Sequence, residues 1–365
     1  MKKIHLYSII ALLIIYNIAG IQSLNCQTRG QAIVSPEVHP DKTVTFRFSA
    51  PNAKEVKIST QIISDQQLMD KGANGLWTIT LGPVKPDIYP YCFVVDGISV
   101  PDPNNIFIFE NERFKNSLVD IPGDKPLIHA IQDVPHGTVT YRYYNSKTLK
   151  VTRPLLVYTP PDYEKNKNKK YPVLYLIHGA TDTEETWFKV GRVNFIMDNL
   201  IYQGKVNPMI IVMPYANTAP AQGNAFTEDL ISDVIPYTEA NYRAMTGQQY
   251  RAVAGFSRGG SQTLNAGVMN ADVFGWIGAM APAVNAPEYE KYFSSKNVDP
   301  EFLNNKLKLF WISCGTEDFL YERGTEFIKV LNKYNIKHKT FFPSGGHTWM
   351  NCKLFISTLA PLLFK

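Results

Sequence analysis

The segment Gly255-Phe256-Ser257-Arg258-Gly259 carries the most specific chemical signal in the chain. It follows an apolar stretch at 252–254 and opens a helical one at 260–269. A G-x-S-x-G turn between a strand and a helix is tight enough to need glycine on both sides of the serine. It lifts the hydroxyl clear of the sheet. The helix behind it offers free amides and the positive end of its dipole to developing negative charge. A serine hydroxyl is a weak nucleophile and needs a base oriented by an acid. Only His338 and His347 follow Ser257. His338 lies between two lysines at a strand edge, which reads as surface. His347 follows Ser344-Gly345-Gly346, a loop just past a strand ending at Phe342, and is the expected base.

The acid must come from another loop after a strand. Glu317 and Asp318 follow the run 309–313 through Cys314-Gly315-Thr316. Asp318 is preferred, because a short carboxylate on a tight loop is easily held against an imidazole; Glu317 is the alternative. The oxyanion needs two donors. The backbone amide of Arg258 is one. The amide of Ala180, in the loop His178-Gly179-Ala180, is the other, with His178 bracing that loop. Trp187, Tyr215 and Phe226 are candidates to stack on an aromatic acyl group. They sit in the pocket loops expected at 182–188, 215–226 and 283–293. The seven histidines are scattered without metal-ligand spacing, and no Gly-rich nucleotide fingerprint opens a strand–helix unit. No metal and no cofactor is therefore expected.

The elements that must position these residues occupy the second half of the chain. Apolar runs at 155–158, 173–177, 209–213, 252–254, 276–280, 309–313 and 339–342 alternate with helical patterns at 194–203, 227–242, 260–269 and 323–334. Continuous apolar strands alternating with helices predict a doubly wound, mostly parallel sheet, with ligands at the carboxyl ends of its strands. The first half differs. Strand-like runs at 43–48, 56–58, 77–81 and 89–95 are separated by turn residues, and Asp96-Gly97 is a hairpin signal. These predict an all-β, immunoglobulin-like sandwich over 27–125, a linker around 110–140, and an α/β domain over 126–365.

Composition bounds the remainder. The 365 residues are 45% hydrophobic and 19% charged, which excludes a disordered chain. The net charge of +5 owes much to short lysine runs without interleaved aromatics, so nucleic acid is set aside as a partner. Lys2-Lys3, an apolar run at 9–15 and a polar exit to Cys26-Gln27 read as an export signal over 1–26. A lipid anchor on Cys26 is the alternative to plain cleavage; no membrane span is expected further on. Four cysteines are too few for a disulfide scaffold. Cys314 and Cys352 are open to a disulfide, with two buried free thiols preferred.

With these residues in place, the second half resembles the esterase-D-like α/β-hydrolases, and more closely the carbohydrate esterases of family 1. The matching stretches include Tyr171 through Gly179, Ala254 through Gly260, Cys314-Gly315-Thr316-Glu317-Asp318 and Gly346-His347-Thr348-Trp349. The first half is similar to the early-set sandwich of carbohydrate-binding module family 48. The signs are Phe46 through Ala53, Gly75-Leu76-Trp77, and Tyr91 through Gly97 followed by Pro101-Asp102-Pro103. Arg258 and Cys352 depart from the residues common in relatives, and Trp77 is open to either a sugar platform or a core role. The resemblance implies an exported, periplasmic or secreted, serine esterase. It would release feruloyl or acetyl groups from plant cell-wall polysaccharide or oligosaccharide such as xylan. An enterobactin-type siderophore esterase and a non-catalytic polysaccharide-binding protein are the alternatives. Residues ~130–365 alone are expected to keep activity on small esters, since a domain of this size folds independently as a rule.

Overall fold

The computed structural model describes residues 32–218, 224–295 and 299–365. Residues 1–26, expected to be an export signal, and with them Cys26 lie outside the described residues, as does part of the loop expected at 215–226.

The first half holds two sheets. One runs in the order β1 (Glu37–Val38), β2 (Val44–Ser49), β6 (Leu76–Leu81) and β5 (Asp70–Lys71). The other runs β4 (Gln67–Leu68), β3 (Val56–Thr60), β7 (Asp87–Val95), β10 (Lys115–Ile121) and β9 (Ile108–Glu110), with β8 (Ile98–Val100) also paired to β7. Alternating inward residues from both sheets, among them Phe46, Phe48, Ile58, Trp77, Tyr91 and Phe93, meet in one apolar cluster. Trp77 belongs to this core, and its indole N–H donates to the Ala50 carbonyl at 2.9 Å. It is not a sugar platform. Asp96 and Gly97 both take positive φ, at 47° and 88°, as the β7–β8 hairpin requires. The stretch read as a linker contains β10, which pairs with both β7 and β9. Its polar residues Lys115, Asn116 and Asp120 masked a strand whose Val119 and Ile121 are buried.

The second half is an eight-stranded sheet in the order β11-β12-β14-β13-β15-β16-β17-β18. Its members are β11 (Thr138–Ser146), β12 (Val151–Thr159), β13 (Val173–Ile177), β14 (Ile210–Pro214), β15 (Arg251–Phe256), β16 (Trp276–Met280), β17 (Leu309–Ser313) and β18 (Lys339–Phe341). β11 and β12 are antiparallel to their neighbours and the remaining pairs are parallel. Helices cover both faces, as the two apolar clusters on either side of the sheet require. β11, which the sequence patterns did not predict, is half exposed along its length, so its apolar signal is weak. Four helices among the described residues also went unread: Thr186–Lys189, Pro300–Lys306 and two longer ones. Ala286–Ser294 occupies most of the loop expected at 283–293 and buries Tyr289 and Phe293 in the core. Trp349–Leu359 follows His347 directly and packs Trp349, Phe355 and Leu359 beneath it.

The two halves share apolar surface. Ile88, Phe109 and Leu118 of the first half are buried in a cluster of the second. A buried ion pair joins Lys353 Nζ to Asp87 at 2.6 Å, and Arg192 meets Asp120 at 3.0 Å. The interface is thus apolar at its centre and pinned by charges.

Candidate active site

The register of the parallel strands brings the functional loops to one edge. Ile177 stands opposite Gly255, Phe256 opposite Met280, Met280 opposite Ser313, and Ser313 opposite Phe341. The loops bearing His178, Ser257, Asp318 and His347 therefore all leave the sheet at the same level. β13 lies between β14 and β15, both of which follow it in sequence, so the chain switches direction here. Crevices form at such points.

Ser257 has φ 58° and ψ −115°, a strained conformation for a side-chain-bearing residue. Its backbone is held by its own amide donating to Met280 O at 2.9 Å and by its carbonyl accepting from Ser261 and Ala283. The flanking glycines are steric necessities. A Cβ on Gly259 would sit 2.3 Å from the His178 carbonyl oxygen, and one on Gly255 would sit 2.5 Å from that of Gly259. This close approach presses the turn against the end of β13.

His347 and Asp318 are brought together. Nδ1 of His347 lies 2.7 Å from Oδ2 of Asp318, whose side chain is fully buried. The other carboxylate oxygen of Asp318 accepts the Leu320 amide at 2.8 Å, which fixes the carboxylate plane. Glu317 is exposed and reaches only the Gly345 amide. The imidazole stacks on Phe256, the residue before Ser257, with ring centroids 4.4 Å apart. This sets the ring beside the serine turn; among the described residues no Ser257–His347 hydrogen bond is formed. Phe319 covers the imidazole from another side at 4.7 Å and is 75% exposed. The sequence patterns gave no reason to choose Phe319 beyond its place next to Asp318.

His178 is buried, and its ring is pinned between Gly179 O, at 2.8 Å from Nδ1, and the Ala216 amide, which donates to Nε2 at 2.9 Å. Burial depresses its pKa to about 4, so the ring is neutral and braces the loop. Ala180 is exposed, and Arg258 begins the helix behind the serine. Among the described residues neither amide has a hydrogen-bond acceptor.

Of the three stacking candidates, only Tyr215 lies at the rim. Its ring is 5.9 Å from His178, its hydroxyl meets the Glu112 carboxylate, and the Arg153 guanidinium lies over its face at 4.8 Å. Trp187 is 1% exposed, donates to Ile177 O at 3.0 Å and packs edge-on against Trp349. Phe226 is 2% exposed in the core on one face of the sheet. Both are packing residues, because the helices that carry them turn their aromatic faces toward the sheet.

Cys314 and Cys352 are buried free thiols. The Asp318 charge and burial push the Cys314 thiol up to about 12, burial being the larger cause, so it stays neutral behind the carboxylate. Asp182 lies deeper in the loop that follows β13. Burial pushes its carboxyl up to about 6, against the opposing pull of Asn111, the Gly179 backbone and the His347 charge. Among the described residues no cluster of three His, Cys, Asp or Glu side chains has the arrangement to hold a metal ion. No helix among them is long and apolar enough to cross a membrane.

Comparison with known proteins adds the family. The family model described as putative esterase matches residues 146–363. The chain belongs to this esterase family. A curated relative in the family's neighbourhood, an endo-1,4-beta-xylanase/feruloyl esterase of Xylanibacter ruminicola, is 28% identical over 345 residues. That alignment covers 90% of this chain but 46% of the relative, so the chain spans less than half of that protein. A ferulic acid esterase structure from Anaeromyces mucronatus, solved with ferulic acid, is 25% identical with a TM-score of 0.57, covering 66% of this chain and 96% of that one. The enterobactin esterase of Shigella flexneri shares the fold more extensively, with a TM-score of 0.67 over 87% of this chain and 92% of that one. At 16% identity that likeness concerns the fold.

Proposed function

We propose that this esterase hydrolyses acyl esters on xylan-type polysaccharide by a serine mechanism, with feruloyl or acetyl as the acyl group. The observation that carries the reading is the His347–Asp318 pair, 2.7 Å apart and stacked beside the Ser257 turn. Ser257 Oγ attacks the ester carbonyl while His347 Nε2 accepts its proton. Asp318 keeps the proton on Nδ1 and stabilises the imidazolium without itself taking a proton. The amides of Arg258 and Ala180 receive the oxyanion. The protonated His347 then returns the proton to the departing sugar alkoxide, leaving an acyl-enzyme. Water, activated by His347, releases the acid. Phe319 and Tyr215 form aromatic walls on which a hydroxycinnamoyl ring can lie. The likeness to feruloyl esterases favours that acyl class.

A catecholate siderophore is the second reading and needs free cations at the rim, where Arg258 beside Ser257 has no carboxylate partner among the described residues. Lys189 is engaged by Glu185 and Arg192 by Asp120. We further propose export, on the leader-like residues 1–26, and a carbohydrate-module ancestry for the first half. The test is a set of rates on methyl ferulate, acetylated xylan and a catecholate siderophore, for wild type and Ser257→Ala. Release of ferulate or acetate that disappears in the variant supports the proposal. Siderophore turnover alone replaces the substrate class, and activity that survives in Ser257→Ala removes the nucleophile.

A further inference from the structure

The hairpin joining β9 to β10 belongs to the first half of the chain, yet its turn rests on the oxyanion loop of the second. Asn111 is buried and committed at both ends of its amide. Its Nδ2 donates to Asp182 Oδ1 at 2.9 Å, and its Oδ1 accepts the Arg113 amide at 3.0 Å. The next residue, Glu112, donates its backbone amide to Thr181 O at 2.8 Å and engages the Tyr215 hydroxyl with its carboxylate. Two consecutive residues thus hold Thr181, Asp182 and Tyr215.

The loop needs holding. Thr181 has φ +61°, a left-handed conformation that a β-branched residue adopts only when its surroundings enforce it. Asp182 is further tied by its amide to Gly179 O at 3.3 Å and by its carbonyl to Asn217 Nδ2 at 2.8 Å. On the other side, His178 is clamped as described above. Ala180 lies between these two anchored pairs. Its amide can therefore be aimed only by fixing His178 and Gly179 on one flank and Thr181 and Asp182 on the other. The hairpin is itself seated: Phe109 of β9 is buried against Trp349, ring centroids 6.4 Å apart, two residues beyond His347.

We propose that the β9–β10 hairpin is a working part of the active site, with Asn111 as a positioning residue that holds the 180–182 loop and thereby aims the Ala180 amide at the oxyanion. This rests on the ester-hydrolysis reading above. The sequence-based expectation that residues ~130–365 suffice for small esters is accordingly replaced: the first half is needed even for a substrate without a sugar chain.

The experiment uses the full chain and p-nitrophenyl acetate. Active sites are counted by the p-nitrophenolate released as diethyl p-nitrophenyl phosphate phosphorylates the nucleophile. An oxyanion donor acts in the transition state, so its misplacement lowers kcat and spares KM. Asn111→Ala is expected to lower kcat per titrated site roughly 10-fold, with KM changed less than about 2-fold. Asn111→Asp, close in size, sets two carboxylates face to face and is expected to cost at least as much. Adding Asp182→Asn to Asn111→Asp exchanges donor and acceptor and is expected to restore kcat to within about 3-fold of wild type. Wild-type kcat per site in Asn111→Ala overturns the proposal, as does a loss confined to the number of titratable sites. Failure of the exchanged pair to recover also overturns it. Activity that persists in Ser257→Ala sinks the serine-hydrolase reading instead, so the two failures are distinct.

Discussion

Replacing Asp182 by asparagine should change how the stability of this esterase depends on pH, and the size of the change follows from the site. The carboxyl is buried and pushed from 3.8 up to about 6. Its folded pKa lies above its unfolded one, so the folded state binds an extra proton between pH ~4 and ~6. The stabilising contribution is fully present below the unfolded pKa and is lost as pH rises through the folded one. Each pH unit of separation is worth about 1.4 kcal/mol, so the gap amounts to about 3 kcal/mol. Asparagine keeps the shape and can still offer Oδ1 to Asn111, but carries no charge to desolvate. Urea unfolding of wild type and Asp182→Asn at pH 4 and pH 7.5 isolates the effect, because every other titrating group appears in both proteins. The variant is expected to gain about 2 kcal/mol relative to wild type between those two pH values, a little less than the full gap because pH 4 already lies above the unfolded pKa. A difference that stays constant with pH refutes the reasoning: it means that the loop admits water to the carboxylate, and that the hydrogen bond from Asn111 does not enclose a buried charge.

Three further outcomes follow from the same geometry. Gly259→Ala sets a Cβ 2.3 Å from the His178 carbonyl oxygen, so the serine turn must move away from β13. The expected loss in kcat is roughly 100-fold, measured on a small ester, with far-UV circular dichroism unchanged. Phe319→Ala removes an exposed ring that lies 4.7 Å from His347. It should raise KM for methyl ferulate several-fold relative to an acetyl ester, and shift the melting temperature little, since an exposed side chain contributes little to stability. Lys353→Met leaves Asp87 without the cation 2.6 Å away in a buried setting. Denaturant unfolding is expected to show a loss of about 3–5 kcal/mol, part of which returns when Asp87→Asn is added.

The legible part of the site was its local chemistry. Gly255 and Gly259 announce the serine turn because a tight strand-to-helix reversal excludes a Cβ at both positions, a constraint expressed within five residues. That serine, acid and histidine each follow an apolar run is legible because the loops after parallel strands leave one edge of the sheet; their order along the chain is an expectation from the hydrolase pattern. Side-chain length favours Asp318 over Glu317 as the acid, and the structure places Asp318, not Glu317, against His347. The aromatic candidates were a different matter. Trp187, Tyr215 and Phe226 all stand near post-strand loops, and nothing in their local sequence says which way each ring faces. Tyr215 faces the rim, while Trp187 and Phe226 complete cores on the helix-covered faces of the sheet. The helix Trp349–Leu359 went unread although Thr348 caps it, its side chain accepting the Asn351 amide, because it is buried on most sides and so lacks a clear amphipathic stripe.

By itself, then, the sequence determined the parts whose causes are local or periodic: an all-β first half, an alternating second half, the serine turn and the ordered set of candidate residues. Periodicity records which face of an element is apolar, and a turn motif records where a side chain has no room. Only the tertiary structure decided how the two halves cooperate. Asn111 and Asp182 are 71 positions apart, and Asp87 and Lys353 are farther still. A hydrogen bond or ion pair between such residues leaves no local pattern, since each partner alone reads as an ordinary polar residue. It exists only where packing of Ile88, Phe109 and Leu118 into the second core removes water from between them and makes an unpaired polar group costly.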